Sequence, residues 1–474
     1  MDTKQKKLIK NSALLLMGNL LSKMMVFLLV PFYTSILSTS EYAIADLITT
    51  TVNLVYPLAS LSIASAVLRF CLDGIHSKKD IYSISLWIDT LGLTLTTIVL
   101  IAIVPFTKLA DYKYYLIAYL VCYTINYLLL QYAKGCEKII VYASAGCVNT
   151  LSLILCNLLF LLGLKIGING YLYSMIISQG ISALYIIIGC RVVPKGISIL
   201  SANNLLVKEM LRYSIPLIPG AFSWWLNASA DRYIMSWFRP IGELGLYSVA
   251  SKIPGIQFMV MNALMGAWEI SAVEKFGTEE NRQFFSEMFN RYSNFLIIIC
   301  STICVISKPV AYILYQKDFF DAWRIVPYLS VASVFEILSL FIGTIFTAAK
   351  KTKMIFATTT IGAISNIILN ILLIPRLGGF GAATATAVSF FIVYEVRFAF
   401  SRKIIRLDSN IVKQHIMIGL MVLLAVLSSM DSSLMYIVAG CVFILLRRAI
   451  WEIITLFVEY TKKVIQRITI KRQH

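Results

Sequence analysis

Apolar runs of about 20 residues recur along this chain from end to end, each long enough to cross about 30 Å of hydrocarbon as a helix. Nothing constrains the fold more. The chain is 59% hydrophobic and 14% charged, and it reads as an all-α, polytopic membrane protein of about 14 transmembrane helices. Expected spans include 42–68, 213–238, 244–270, 354–374 and 379–400.

Most of the 42 Lys and Arg fall in the connections shared with both termini. Cationic loops mark the cytoplasmic side, so both termini are expected in the cytoplasm of a multi-pass protein. This sorting accounts for most of the net charge of +18 without nucleic acid, for which no soluble domain is present. Lys4, Lys6, Lys7 and Lys10 precede an apolar run that is too long for a signal peptide and lacks a small-x-small cleavage site, so it reads as a retained first span. The nine cysteines are scattered, and the nearest pair, Cys300 and Cys304, has neither a redox nor a zinc spacing. Free thiols and no metal site are expected.

Two stretches look like copies. Ser40-Glu41-Tyr42-Ala43 and Gly242-Glu243-Leu244-Gly245 each lead into a span with a central proline, Pro57 and Pro254. Asn157 with Gly167-Ile168-Asn169-Gly170 is echoed by Asn370 with Gly378-Gly379-Phe380-Gly381. The markers imply two six-helix repeats related by a pseudo-twofold axis along the membrane normal, plus two C-terminal helices. The expected parts are an N-terminal lobe at 1–190, a cytoplasmic linker at 191–210, a C-terminal lobe at 211–406, two further helices at 407–449, and a basic amphipathic tail at 450–474.

Lys23, Arg232 and Lys252 lie well inside apolar segments. A cation at bilayer depth costs about 2.5–3.5 kcal/mol on the insertion scale, so its retention points to a water-filled cavity and an anionic partner. Helical spacing places Asp46 and Asn53 on one face of span 2, Asn227 and Asp231 on span 7, Lys252 and Asn262 on span 8, and Asn19 and Lys23 on span 1. Together these outline a polar cavity. Arg232 has two readings, ligand contact, or a structural role in which it pairs with its neighbour Asp231 or snorkels outward. Arg69, at the inner end of span 2, is an interface anchor or the residue that first receives a phosphate. Trp225 and Trp268 offer flat faces to sugars or to the membrane interface. Asp46, Asp89 and Glu336 are candidates for coupling to Na⁺ or H⁺, and Glu395 is expected to be satisfied by Arg397.

Spans 7 and 8 carry Ser214-Ile215-Pro216-Leu217-Ile218-Pro219, Trp225, Asp231-Arg232 and Glu243-Leu244-Gly245-Leu246-Tyr247-Ser248-Val249-Ala250-Ser251-Lys252. With Asn11-Ser12, Ser40-Glu41-Tyr42 and Val67-Leu68-Arg69-Phe70, this resembles bacterial polysaccharide transporters of the Wzx type. Those are lipid-linked oligosaccharide flippases, in the superfamily that also holds the lipid II flippase and the MATE exporters. Ala43 departs from a glycine frequent in the family. The resemblance implies movement of an undecaprenyl-diphosphate-linked oligosaccharide from the cytoplasmic to the outer leaflet of a bacterial inner membrane, for capsule, O-antigen or a similar polysaccharide. It also implies glycosyltransferases and a polymerase as neighbours in the pathway, and no cofactor.

The alternatives are a MATE-like exporter of small molecules and a membrane-embedded polymerase. An exporter of cations would call for a more acidic cavity. For an enzyme, His76, His415 and His474 all fall in cytoplasmic connections or the tail, and no outer loop carries paired carboxylates. No GxxxxGK[ST] loop is present for ATP.

Overall fold

Helix Val30–Ile36 (α1) ends just before Ser38, which opens the next helix, Thr39–Ala59 (α2), with a reciprocal cap. Glu41 N–H donates to Ser38 Oγ at 3.3 Å, while Ser38 N–H donates to Glu41 Oε2 at 2.8 Å. Two orphan amides are thereby satisfied at the mouth of a span. The structure is a computed structural model that describes residues 22, 24–191, 204–277, 281–407, 411–452 and 454–455. Lys23, Asn19, the 192–203 part of the linker and the tail from 456 lie outside the described residues.

Among the described residues, eight helices are long and apolar enough to span a bilayer, or nine when the bent pair α2 and Ile63–Asp73 (α3) is taken as one span. The chain is a multi-pass helical membrane protein. Helices Lys78–Ile103 (α4), Lys113–Gly135 (α5), Ile139–Asn157 (α6) and Gly167–Cys190 (α7) follow, then Asn204–Ser214 (α8), Ile218–Phe238 (α9) and Ile241–Ala250 (α10). The remainder is Lys252–Lys275 (α11), Asn281–Leu314 (α12), Val326–Ala348 (α13), Thr352–Ser401 (α14), Ile411–Ser429 (α15) and Leu434–Leu445 (α16).

Contacts divide the chain into two compact units, one of residues 1–249 with 314–319, the other of 250–313 with 320–474. The break falls at Val249, beyond the linker at 191–210, because α9 packs against α2 and brings span 7 into the first unit.

Within the first unit, the apolar core collects Ile63, Val67, Leu128, Leu129 and Ile186. Lipid tails are as apolar as leucine, so burial alone does not hold such helices together; close approach and hydrogen bonds do. Gly92 of α4 is one such approach: a Cβ there would overlap the carbonyl of Ala59. That carbonyl belongs to the end of α2, where the second span breaks and bends by 58°. Pro57 lies inside the last turn of α2. Yet the chain leaves the helix four residues later, at Leu61 (φ 48°) and Ser62 (φ 53°). Ser62 N–H reaches Pro57 O at 2.9 Å and Leu61 N–H reaches Leu58 O at 3.2 Å, a Schellman closure with leucine where glycine is usual.

In the second unit, α13 is the central helix, with 89% of its apolar stretch buried. Trp268 of α11 stacks on Phe341 of α13 at 4.5 Å and donates its Nε1–H to Thr344 Oγ1 at 2.9 Å. The two expected spans 354–374 and 379–400 are both present within α14, joined at Gly378 (φ 55°, ψ −130°). They fold back on each other: Asn366 Nδ2 lies 3.2 Å from Ser389 Oγ, and Arg397 Nε donates to Thr358 Oγ1 at 3.0 Å. All nine cysteines are free thiols, and Cys441 on α16 is the exposed one.

Candidate functional site

The polar side chains of the first unit converge between α2, α9 and α10. Asp46 lies about two turns into α2, whose start is fixed by the Ser38 and Glu41 cap. The start of α10 is pinned beside it. Arg239 grips Glu243 with two bonds, Nε to Oε2 at 2.9 Å and Nη2 to Oε1 at 2.6 Å, and Gly245 lies so near Thr39 that a Cβ would overlap its carbonyl. One turn further, Tyr247 and Ser248 reach the cluster.

Arg232 of α9 is its centre. Its Nε donates to Asp46 Oδ2 at 2.8 Å, and its Nη1 donates to Asp231 Oδ1 at 3.3 Å and to Ala228 O at 3.0 Å. Ser248 Oγ donates to the same Asp46 Oδ2 at 2.8 Å, and the Tyr247 hydroxyl donates to Asp231 Oδ2. The guanidinium also lies 5.8 Å from the centre of the Tyr247 ring. Arg232 is 16% exposed, Asp46 13% and Asp231 8%. A guanidinium buried to this degree stands only because carboxylates surround it, and removing either partner leaves a charge in apolar surroundings. Below the cluster, Trp225 Nε1–H donates to Thr50 O at 3.0 Å and Thr51 shares a hydrogen bond with Tyr233. Helix α9 is thus fastened to α2 along several turns.

Arg232 does pair with Asp231, and with a second carboxylate, Asp46, that helical spacing assigns to a different stripe. The signal for Asp46 was depth. Both residues lie about 6–9 Å from one end of the spans expected at 42–68 and 213–238, so equal depth could have matched them.

The other sequence-derived residues are distributed as follows. Asn53 is partly buried on α2, and Asn227 Nδ2 donates to Ser223 O of its own helix at 3.0 Å. In the second unit, Lys252 is partly buried at the first turn of α11, Asn262 is exposed on the same helix, and Glu336 is partly buried on α13. Arg69 is exposed, with Nη1 3.5 Å from Asp73 one turn on. Asp89 is 1% exposed on α4.

Three expectations need correction. Glu395 does not meet Arg397; its Oε1 lies 3.1 Å from His415 Nε2. Residues two apart on a helix point to different faces, and Arg397 is buried instead among neutral oxygens, those of Ser339, Thr358 and Thr359. Trp225 and Trp268 offer no open ring face to a sugar or to lipid, being 6% and 4% exposed with their indole N–H groups satisfied inside the helix bundle of their own unit.

The chain is similar to known proteins at three levels. Residues 8–268 match the family model described as polysaccharide biosynthesis protein. A curated relative, the probable low-salt glycan biosynthesis flippase Agl15 of Haloferax volcanii, is 24% identical over 183 residues, a match that spans only 38% of either protein. Among solved structures, the lipid II flippase MurJ in an inward closed conformation aligns with a TM-score of 0.68 at 15% identity, over 93% of this chain and 99% of that one. An inward-facing MATE family multidrug resistance transporter aligns at 0.66 and 14% identity, over 80% and 94%. A MOP superfamily transporter from Pyrococcus furiosus aligns at 0.53 and 13% identity, over 83% and 95%. At such identities these structures establish the fold, which is that of the MurJ and MATE transporters. The function class comes from the family model, which covers more than half of the sequence, and by it the chain belongs to the polysaccharide biosynthesis protein family.

Proposed function

We propose that this protein is a flippase that moves a polyprenyl-diphosphate-linked oligosaccharide from the cytoplasmic to the outer leaflet by alternating access. The observation that carries the reading is a charged, hydrogen-bonded cluster at membrane depth, Asp46, Arg232, Asp231, Tyr247 and Ser248, in a member of a polysaccharide biosynthesis family. A hydrated sugar diphosphate cannot cross hydrocarbon unaided, whereas its polyprenyl tail can stay in lipid.

In this reading Lys23 and Lys252 replace water around the diphosphate. Arg232, whose charge is already answered by two carboxylates, acts as a latch between α9 and α2. Asn19, Asn53, Asn227 and Asn262 supply amides for sugar hydroxyls, and Arg69 receives the phosphate at the inner surface. The tail at 450–474 rests on anionic lipid. With the cell interior negative, carrying about two uncompensated negative charges outward gains about 4.6 kcal/mol per 100 mV, and an exchanged Na⁺ or H⁺ would change that sum.

MATE-like export of a cation draws support from one feature, the surplus carboxylate of the Asp46, Arg232 and Asp231 triad. The family match favours the glycan. Deleting the gene and profiling lipid-linked intermediates by mass spectrometry separates the two readings. The glycan reading expects an undecaprenyl-diphosphate oligosaccharide to accumulate in the inner leaflet, cleared by the wild-type gene and not by the Lys23→Ala/Lys252→Ala double variant. An unchanged lipid-linked profile in the deletion strain overturns it.

A further inference from the structure

Asp89 sits outside the cluster described above, on α4, and among the described residues neither of its carboxylate oxygens has a hydrogen-bond partner. It lies at the floor of an open cavity of about 370 Å³ between α4 and α5, whose rim residues Thr90, Thr94 and Ile98 are exposed. The α5 side of that cavity offers Val121 and Ile125, while Thr90 and Thr94 lie on α4. Both threonine hydroxyl protons are already given to their own helix, to Leu86 O at 2.7 Å and Thr90 O at 2.8 Å. These hydroxyls can therefore accept but cannot donate to a carboxylate.

A carboxylate without donors or a counter-ion is costly to bury, and a carboxylic acid much less so. A metal ion would want a shell of several oxygens, which the Val121 and Ile125 wall does not supply. The ligand chemistry that fits is a proton.

Position gives that proton a mechanical role. Gly92 lies three residues beyond Asp89, on the same face of α4, and it is the residue that touches the carbonyl of Ala59 at the break of the second span. We propose that Asp89 is a proton-binding site whose charging loosens α4 from the broken end of α2 and so frees the hinge at Leu61 and Ser62. With the proton bound, the side chain is neutral and α4 stays seated on Ala59. Once the proton leaves, the carboxylate draws water through the cavity, and the contact at Gly92 separates.

Helix α5 carries further titratable groups, among them Tyr119, Tyr123 and Tyr127, the last two packed against Tyr56 of α2. Among the described residues Tyr82 of α4 interacts electrostatically with Asp89, and its ring lies 5.1 Å from that of Tyr132 on α5. Cys122 on α5 follows the cavity residue Val121 and is half-buried. Cys71 of α3 feels the charge of Lys78 at the far end of α4, about 16 Å along the helix from Asp89. On α2 the contact is the Ala59 backbone.

The proposal does not depend on the cargo, and its test needs no transport. The full-length protein in nanodiscs is treated with dicyclohexylcarbodiimide, which reacts with protonated carboxyls in apolar surroundings, and the peptides are read by mass spectrometry. An Asp89 adduct should form at about pH 6 and diminish as the pH is raised, with sodium chloride making no difference. In parallel, the protection factors of amides 58–64, that is, exchange corrected for its intrinsic base-catalysed rate, should fall with pH in the wild type and stay flat in Asp89→Asn. Gly92→Ala, which forces α4 off Ala59, should show low protection there at every pH. An Asp89 peptide that is observed without adduct at about pH 6 overturns the proposal, as does protection by sodium at fixed pH. So does an Asp89→Asn protein that keeps the wild-type pH dependence, or a Gly92→Ala protein whose hinge exchanges like the wild type.

Discussion

At the scale of single residues, the arrangement around Arg232 makes a sharp statement about energetics. Arg232→Gln strands Asp46 and part of Asp231 in apolar surroundings and is expected to cost about 3–5 kcal/mol, seen as a drop in the thermal midpoint. Adding Asp46→Asn should return most of that loss, because the charge left unanswered is removed. A double variant no more stable than Arg232→Gln would mean that the pair contributes nothing through its charges. Trp268 allows a similar test of role. Trp268→Ala should cost about 3–5 kcal/mol through the hole left beside Phe341, whereas Trp268→Phe, losing chiefly the bond to Thr344, should cost about 1 kcal/mol and leave transport intact. Transport abolished by Trp268→Phe at unchanged stability would place that ring at the substrate after all.

Secondary elements were the most legible level, and the reason is length. A run of apolar residues long enough to cross the bilayer has few alternatives to a helix, so spans such as 354–374 and 379–400 appear as the two arms of α14 with ends shifted by a few residues. Pro57 signalled a disturbance in span 2, but its position did not give the place of the break. The break falls at Leu61 and Ser62, where a Schellman closure needs left-handed backbone that the sequence does not advertise with glycine. Partners across helices were illegible for a different reason. The pairing of Asp46 with Arg232, and of Glu395 with His415 instead of Arg397, is set by how helices rotate against each other, which periodicity alone does not fix. Two opposite substitutions test the backbone reading. Leu61→Gly relieves a left-handed residue and should stabilise by about 1 kcal/mol. Gly378→Ala, at φ 55° and ψ −130°, should destabilise the α14 hairpin by about 1–3 kcal/mol. Thermal melts of the two variants should move in opposite directions.

For the whole molecule, the proposed transport has an electrical signature. If about two uncompensated charges leave with each headgroup, a potential of 100 mV, inside negative, supplies about 4.6 kcal/mol, and the leaflet ratio of the glycolipid at steady state should change by more than about 1000-fold. Collapsing the potential with valinomycin and potassium in proteoliposomes should erase that bias, and a ratio indifferent to valinomycin would require neutralising ions to travel with the cargo. The distribution of thiols has a consequence of its own. Eight of the nine cysteines are at least partly covered and Cys441 on α16 is open. Electrophiles that dissolve among acyl chains, such as enals from peroxidised lipid or a membrane-permeant maleimide, will therefore find α16 first, which gives the native sequence a ready place for a single fluorophore.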